Sequence, residues 1–246
     1  MSRVMPAVKQ IAVAAGAMVL ALGIAAPAAA QVVHSVGVGA GLFTPRGFDA
    51  RDVDDVWVEN LTNPYRLAFD IKDFRGLQVN GEWNMTFSDR VELSLGAGYY
   101  SRTTPSVYAD FIDERDNSEI EQDLRLRMVP LSAVVRFLPF GEAGNMQPYV
   151  GLGVSAIRWR YSEVGEFVDF DNNGEIFNDR YIANGTTVAP VILGGLRIPM
   201  GGDIYALNTE LRYQFGNGDL GDDNGFLAPK IDLSGLHFTV GFMVRF

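Results

Sequence analysis

The sequence predicts an all-β fold, an eight-stranded antiparallel transmembrane β-barrel with short periplasmic turns and long extracellular loops. Three observations point there. Eight segments alternate apolar and polar residues with period two. The connections between them alternate short and long. The last eleven residues place Leu236, Phe238, Val240, Phe242, Val244 and Phe246 at every second position. An edge strand this apolar invites aggregation in water, whereas a closed barrel in lipid has no edge and requires an apolar exterior.

Residues 1–30 read as a cleaved secretory signal peptide. Arg3 and Lys9 precede an apolar run over residues 11–24, and Ala28, Ala29 and Ala30 offer a small-residue cleavage site. A retained anchor would need about 20 uninterrupted apolar residues, and Pro27 with the Ala-rich end fits cleavage better. The barrel is then assigned to residues 31–246.

Period-two strands are predicted over residues 32–43, 74–87, 90–102, 122–138, 147–161, 188–198, 204–215 and 231–246. The Ser88-Asp89 turn and the connections 139–146 and 199–202 are short, and the intervening ones are long, which puts both termini on the periplasmic side. Successive side chains point to opposite faces. In the strand over 74–87, Leu77, Val79, Trp83, Met85 and Phe87 face out, and Gln78, Asn80, Glu82, Asn84 and Thr86 face in. In the strand over 204–215, Tyr205, Leu207, Leu211, Tyr213 and Phe215 face out, opposite Asn208, Glu210, Arg212 and Gln214. Tyr99, Tyr149, Tyr205, Tyr213 and Phe215 lie near strand ends and are candidates for interfacial girdles. Any single strand also fits an antiparallel sandwich with its polar face outside; the signal peptide, the terminal Phe and the loop alternation together decide for the barrel.

The chain of 246 residues has a formal net charge of -10, 27 Gly, two His and no Cys. Losing Arg3 and Lys9 takes the charge from -10 to -12, so nucleic acid is not an expected partner. Without Cys there is no disulfide, thiolate metal site or Cys nucleophile. Gly37, Gly39 and Gly41 lack the following helix that a nucleotide-binding fingerprint needs; no cofactor is expected.

Eight strands enclose a bore that side chains can fill. Parity sends Glu82, Glu92, Arg136, Arg197, Glu210, Arg212, His237 and Arg245 inside, where charges of both signs must pair. An ion-pair network is expected, with Glu210 roughly opposite His237. The inward glycines, among them Gly39, Gly98, Gly151 and Gly153, set small residues beside large ones.

Two further constellations stand out. Asp169, Asp171, Asn173 and Gly174 match the first half of a calcium loop, but Arg180 occupies the twelfth position where a bidentate Glu belongs. A solvated acidic turn is the favoured reading, a weak divalent-cation site the other. Arg125 and Arg127 share outward parity with Arg158 and Arg160 on the neighbouring strand, at the outer rim. Four adjacent guanidinium groups suit lipopolysaccharide phosphates; the alternative is ion pairing with Glu121, Asp123 and Glu163. In the first long loop, Val53, Val56, Trp57, Val58 and Leu61 either line an entry funnel or pack over the barrel mouth, and packing is the more common fate of such residues.

The terminal strand with Phe238, Phe242 and Phe246 resembles the final strand of bacterial outer-membrane barrels, which looks like the address read by the barrel-insertion machinery. The run Pro148-Tyr149-Val150-Gly151-x-Gly153 is similar to one found in OmpA-type and OmpW-type barrels. This resemblance implies integral outer-membrane placement among lipid and lipopolysaccharide. By subgroup it implies either a structural or surface-interaction role with a closed lumen, or a narrow channel for small hydrophobic molecules. The extracellular partner is left open, and no peptidoglycan-binding domain is expected after Phe246. Outer-membrane lipid A deacylases resemble the chain in strand number but set a His and a Ser on the lipid-facing wall; here His237 faces inward with Thr239 beside it. The N-terminal amphipathic helix of palmitoyl transferases is not expected either. With His34 near the processed end, no nucleophile and base pair emerges, and the chain reads as a non-enzyme.

Overall fold

The computed structural model describes residues 32–142, 144–170, 172, 174–201, 204–221 and 223–246. The proposed signal peptide lies outside the described residues. So do Asp171 and Asn173, two members of the candidate calcium loop.

Eleven strands form among the described residues: β1 (Val33–Pro45), β2 (Leu67–Ala68), β3 (Gly76–Ser88), β4 (Val91–Ile112), β5 (Glu119–Phe137), β6 (Gln147–Asp169), β7 (Glu175–Met200), β8 (Tyr205–Gln214), β9 (Asn217–Asp219), β10 (Lys230–Asp232) and β11 (Gly235–Arg245). β1 and β3 to β8 pair each with the next, all antiparallel, and β11 pairs with both β8 and β1. The eight strands therefore close into a barrel. Closure satisfies every strand's backbone within the sheet, which an open sheet of this composition could not do.

Burial follows parity. Along β5, from Glu119 to Met128, every odd residue is exposed and every even one buried. The outer wall carries a belt that includes Val38, Leu77, Val79, Leu131, Val150, Leu152, Val188, Ile192 and Leu211, all exposed. Phe238, Phe242 and Phe246 belong to it, with Phe246 73% exposed. Such a wall is opposite to that of a water-soluble sandwich. In β3 and β8 the predicted inward residues are buried or half-buried and the predicted outward ones exposed or half-buried.

The long connections differ from the expectation in one respect. Of the four, the segments 103–121 and 162–187 are largely strand: β4 and β5 run on to meet near Ile112 and Glu119, and β6 and β7 pair up to Asp169 and Glu175. About 10 residues suffice to cross a membrane, so the 23 residues of β6 project well beyond the apolar belt. Period two fades over most of these extensions because both of their faces are partly exposed, so neither parity is steadily apolar.

At this loop end the first connection folds inward. It contains the helix α1 (Val56–Thr62), in which Val56 and Trp57 are fully buried while Val53, ahead of it, is 84% exposed. Trp57 stacks on Phe74 at 4.0 Å and meets the edge of Tyr161 at 6.3 Å. With Phe43, Tyr100, Trp159, Ile231 and Leu233 they form an apolar core inside the upper barrel. Asp55 caps α1, accepting from Trp57 and Val58 N–H and pairing with Arg51 at 2.9 Å. It also accepts from Asp232 N–H at 2.6 Å, while Asp232 pairs with Arg46 at 2.9 Å. These contacts tie the first connection to the last one.

Candidate functional site

Below that core the bore turns polar. Arg136 on β5 reaches across it: its Nη2 lies 2.6 Å from Glu82 of β3 and 2.6 Å from Glu210 of β8, and its Nη1 donates to Asn84 and Glu92. Glu92 takes a second guanidinium, Arg197, at 2.9 Å, and Glu210 takes Arg212 at 3.0 Å. Three carboxylates and three guanidinium groups thus neutralise one another. Each is held on a rigid strand, and several are bridged by more than one partner, the condition under which buried charges are tolerated.

Tyr149 completes this layer. Tyr149 is a girdle candidate by its place near a strand end, but its side chain is 2% exposed and turned into the bore. Its hydroxyl lies 2.9 Å from Asn208 and 3.1 Å from Glu210, and the Arg136 guanidinium lies over its ring at 4.9 Å. Parity held the signal: Tyr149 shares its face with Gly151 and Gly153, both assigned inward. Gly195 makes the room, since a Cβ there would stand 2.3 Å from the Tyr149 ring. Tyr99, Tyr205 and Phe215 do face outward.

Two of the eight inward residues stand apart from the network. His237 lies opposite Arg212 on β8, and Glu210 lies opposite Thr239, so the expected Glu210 and His237 pairing is displaced by one inward position. The β9 and β10 ladder in the last connection breaks the uniform hairpin on which that count relied. His237 Nδ1 instead meets Gln78 Oε1 at 2.5 Å, and its ring packs on Phe43 at 4.7 Å. Arg245 sits at the turn end and binds Glu142 of the 139–146 turn at 2.5 Å. The other histidine, His34, stacks near Trp83 and Phe246.

Empty space along the polar bore is slight. Cavities of about 40, 10 and 10 Å³ flank Glu210 with His237, Glu82 with Asn208, and Arg197 with Arg245. At those volumes the first has room for about three water molecules and the other two for about one each.

On the outer wall the four predicted rim arginines come together. Arg127 is directly opposite Arg160, Arg125 opposite Ser162, and Arg158 opposite Val129. All four are exposed. Ser101 and Thr103 flank them on β4, Asn184 and Thr186 on β7, and the Arg125 guanidinium contacts Ser101 Oγ at 3.4 Å. Among the described residues none of the four makes an ion pair. Of the alternative partners Glu163 is buried, and Glu121 and Asp123, though exposed, form no bridge to the four arginines. Directly below lie the apolar Leu131, Val154 and Val188.

Among the described residues no group of three or more His, Cys, Asp or Glu is arranged to hold a metal ion. Asp169 accepts from the Asn172 N–H in the β6 to β7 turn.

No protein-family model matches the chain, and no curated protein matches it. Solved structures similar to it include Neisserial surface protein A, at 12% identity and a TM-score of 0.43, covering 88% of this chain and 100% of that one. The N-terminal β-barrel domain of Pseudomonas aeruginosa OprF matches at 14% identity and a TM-score of 0.39, covering 88% and 100%. Outer membrane protein AlkL matches at 17% identity and a TM-score of 0.39, covering 89% and 94%.

Proposed function

We propose that this chain is an integral outer-membrane barrel with a closed lumen, acting as a structural or surface-interaction protein. The observation that carries the reading is the pairing of an apolar outer wall with a charge-neutral, hydrogen-bonded bore. An exposed apolar belt around a sealed cylinder is stable in lipid and not in water. The network centred on Arg136, with the apolar core over it, supports closure, since an ion would have to displace paired charges to pass.

In this reading the arginine cluster on β5 and β6 grips lipopolysaccharide phosphates. It stands immediately above the apolar belt, where headgroup phosphates lie, and guanidinium groups bind phosphate bidentately. The terminal strand serves the insertion machinery through Phe238, Phe242 and Phe246, and the acidic extensions of β4 to β7 face the outside. No catalytic role is assigned.

Planar-bilayer conductance and liposome uptake test the closed lumen. Silence in both is expected; a steady conductance, or uptake of small hydrophobic molecules, would establish the channel reading instead. For the rim, changing Arg125, Arg127, Arg158 and Arg160 to Gln should strip lipopolysaccharide from the purified protein, and unchanged retention would end that assignment.

A further inference from the structure

Above the apolar core, the β6 and β7 extension encloses a cavity of about 240 Å³ that the closed-barrel reading does not use. Tyr108, Phe167, Phe170 and Tyr181 are among the residues that line it, and Glu163 of β6 is its one ionisable carboxylate, beside Asn60 and Asn63. The aromatic groups support one another: Tyr65 stacks on Phe170 at 3.5 Å, and Phe167 meets Tyr181 edge-on at 4.8 Å. Tyr65 and Leu227 are substantially exposed at the rim, so the space communicates with the outside.

Glu163 is the unusual component. Only 5% exposed, it holds one oxygen in place, Oε1, which accepts from Asn60 Nδ2 at 2.7 Å and Tyr161 OH at 2.8 Å. Its other oxygen accepts nothing from any described residue and is not sealed from the cavity. No cation among the described residues pairs with it. Burial accordingly lifts its carboxyl above the ordinary carboxylate range, with the two hydrogen bonds opposing. A buried carboxylate without a counter-charge is unfavourable, so a positive charge placed in the aromatic-lined space beside Glu163 is electrostatically favoured.

Chemistry narrows the occupant. A bare metal ion requires several oxygen or nitrogen ligands, and the described residues assemble no such group. An anion would meet the carboxylate. Aromatic rings beside a carboxylate attract an organic cation, whose charge the ring quadrupoles and the carboxylate both favour. The volume lies below the ~300 Å³ at which pockets for drug-sized ligands begin, so the ligand is small. We infer that this cavity binds a small alkyl- or aryl-ammonium ion, its charged end against Glu163 Oε2 and its body among Tyr108, Phe167, Phe170 and Tyr181.

The test uses the full barrel in detergent micelles, titrated calorimetrically with phenyltrimethylammonium and with its neutral isostere tert-butylbenzene. Saturable binding of the cation is expected, with the neutral compound weaker by about tenfold or more. Glu163→Gln keeps an oxygen for Asn60 and Tyr161 while removing the charge, and should weaken cation binding by about tenfold. Phe170→Leu, beyond the end of β6, should weaken it with the barrel ladder untouched. Equal binding of the neutral compound, cation binding undiminished in both variants, or no saturable binding to the parent protein would overturn the assignment. Heat-modified gel migration of each variant separates loss of binding from loss of fold.

Discussion

Arg136 places one guanidinium nitrogen 2.6 Å from the Glu210 carboxylate on the far wall of the barrel. The same nitrogen holds Glu82 at 2.6 Å, so one side chain from β5 joins β3 and β8 across the bore. Removing it leaves Glu82 and Glu210 competing for Arg212, and Glu92 dependent on Arg197. Arg136→Ala is expected to cost about 3–5 kcal/mol, the usual range for stripping one partner from a buried ionic network. Urea unfolding in detergent measures this. The same variant should conduct ions in a planar bilayer where the parent protein is silent, because the group that spans the bore is gone.

Gly195 permits Tyr149 to lie across the turn end of the bore. Its absent Cβ would meet both the Tyr149 ring and the Thr209 carbonyl, at 2.3 and 2.6 Å. Tyr149 is held by Asn208 and Glu210, so moving it aside would break those hydrogen bonds. Gly195→Ala should therefore lower stability by about 1–3 kcal/mol as an overpacked site, read by the same unfolding assay, and Gly195→Val by more.

Asp55 organises the mouth through the α1 cap, the Arg51 ion pair and the Asp232 N–H. Asp55→Ala removes all three at once and leaves Arg51 buried without its carboxylate. Residues 46–63 are expected to become protease-sensitive, with about 3–5 kcal/mol of local stability lost. The barrel ladder should keep its hydrogen-exchange protection. Equal loss of protection in β11 would show that the mouth and the wall unfold as one unit.

The mouth should also respond to pH. Burial raises the Glu163 carboxyl despite its two hydrogen bonds, and raises Asp55 despite Arg51. A carboxyl whose folded pKa exceeds its unfolded value stabilises the fold below the unfolded value, about 4.3 for Glu, and that contribution is lost as pH rises through the folded value. The tyrosines facing Glu163, namely Tyr161, Tyr108 and Tyr181, are themselves shifted upward and stay neutral throughout. Amide exchange in α1 should thus quicken from acidic to neutral pH by more than the intrinsic rate change. Glu163→Gln should flatten most of that excess, leaving the part due to Asp55.

Sequence reading reached the barrel wall and most of the bore. Period two, set by lipid on one side and a narrow interior on the other, assigns facing residue by residue. It put Glu82, Glu92, Arg136, Arg197, Glu210 and Arg212 in one compartment, and Arg125, Arg127, Arg158 and Arg160 on one outer patch. It misplaced Tyr149 because a tyrosine near a strand end fits both a girdle and a bore, and only its parity with Gly151 distinguishes them.

The alternation of side chains thus determined the fold class, the number of strands in the barrel wall and the two faces, because these depend on contrasts between neighbouring residues. Tertiary structure alone decided that Glu210 meets Arg136 and not His237, since register depends on the whole connection from β8 to β11. It alone decided that Trp57 fills the upper barrel and that Glu163, far from serving the rim, closes on Asn60 of the first connection. Those contacts join segments about a hundred or more residues apart, and no local pattern records which distant partner a buried polar group will find.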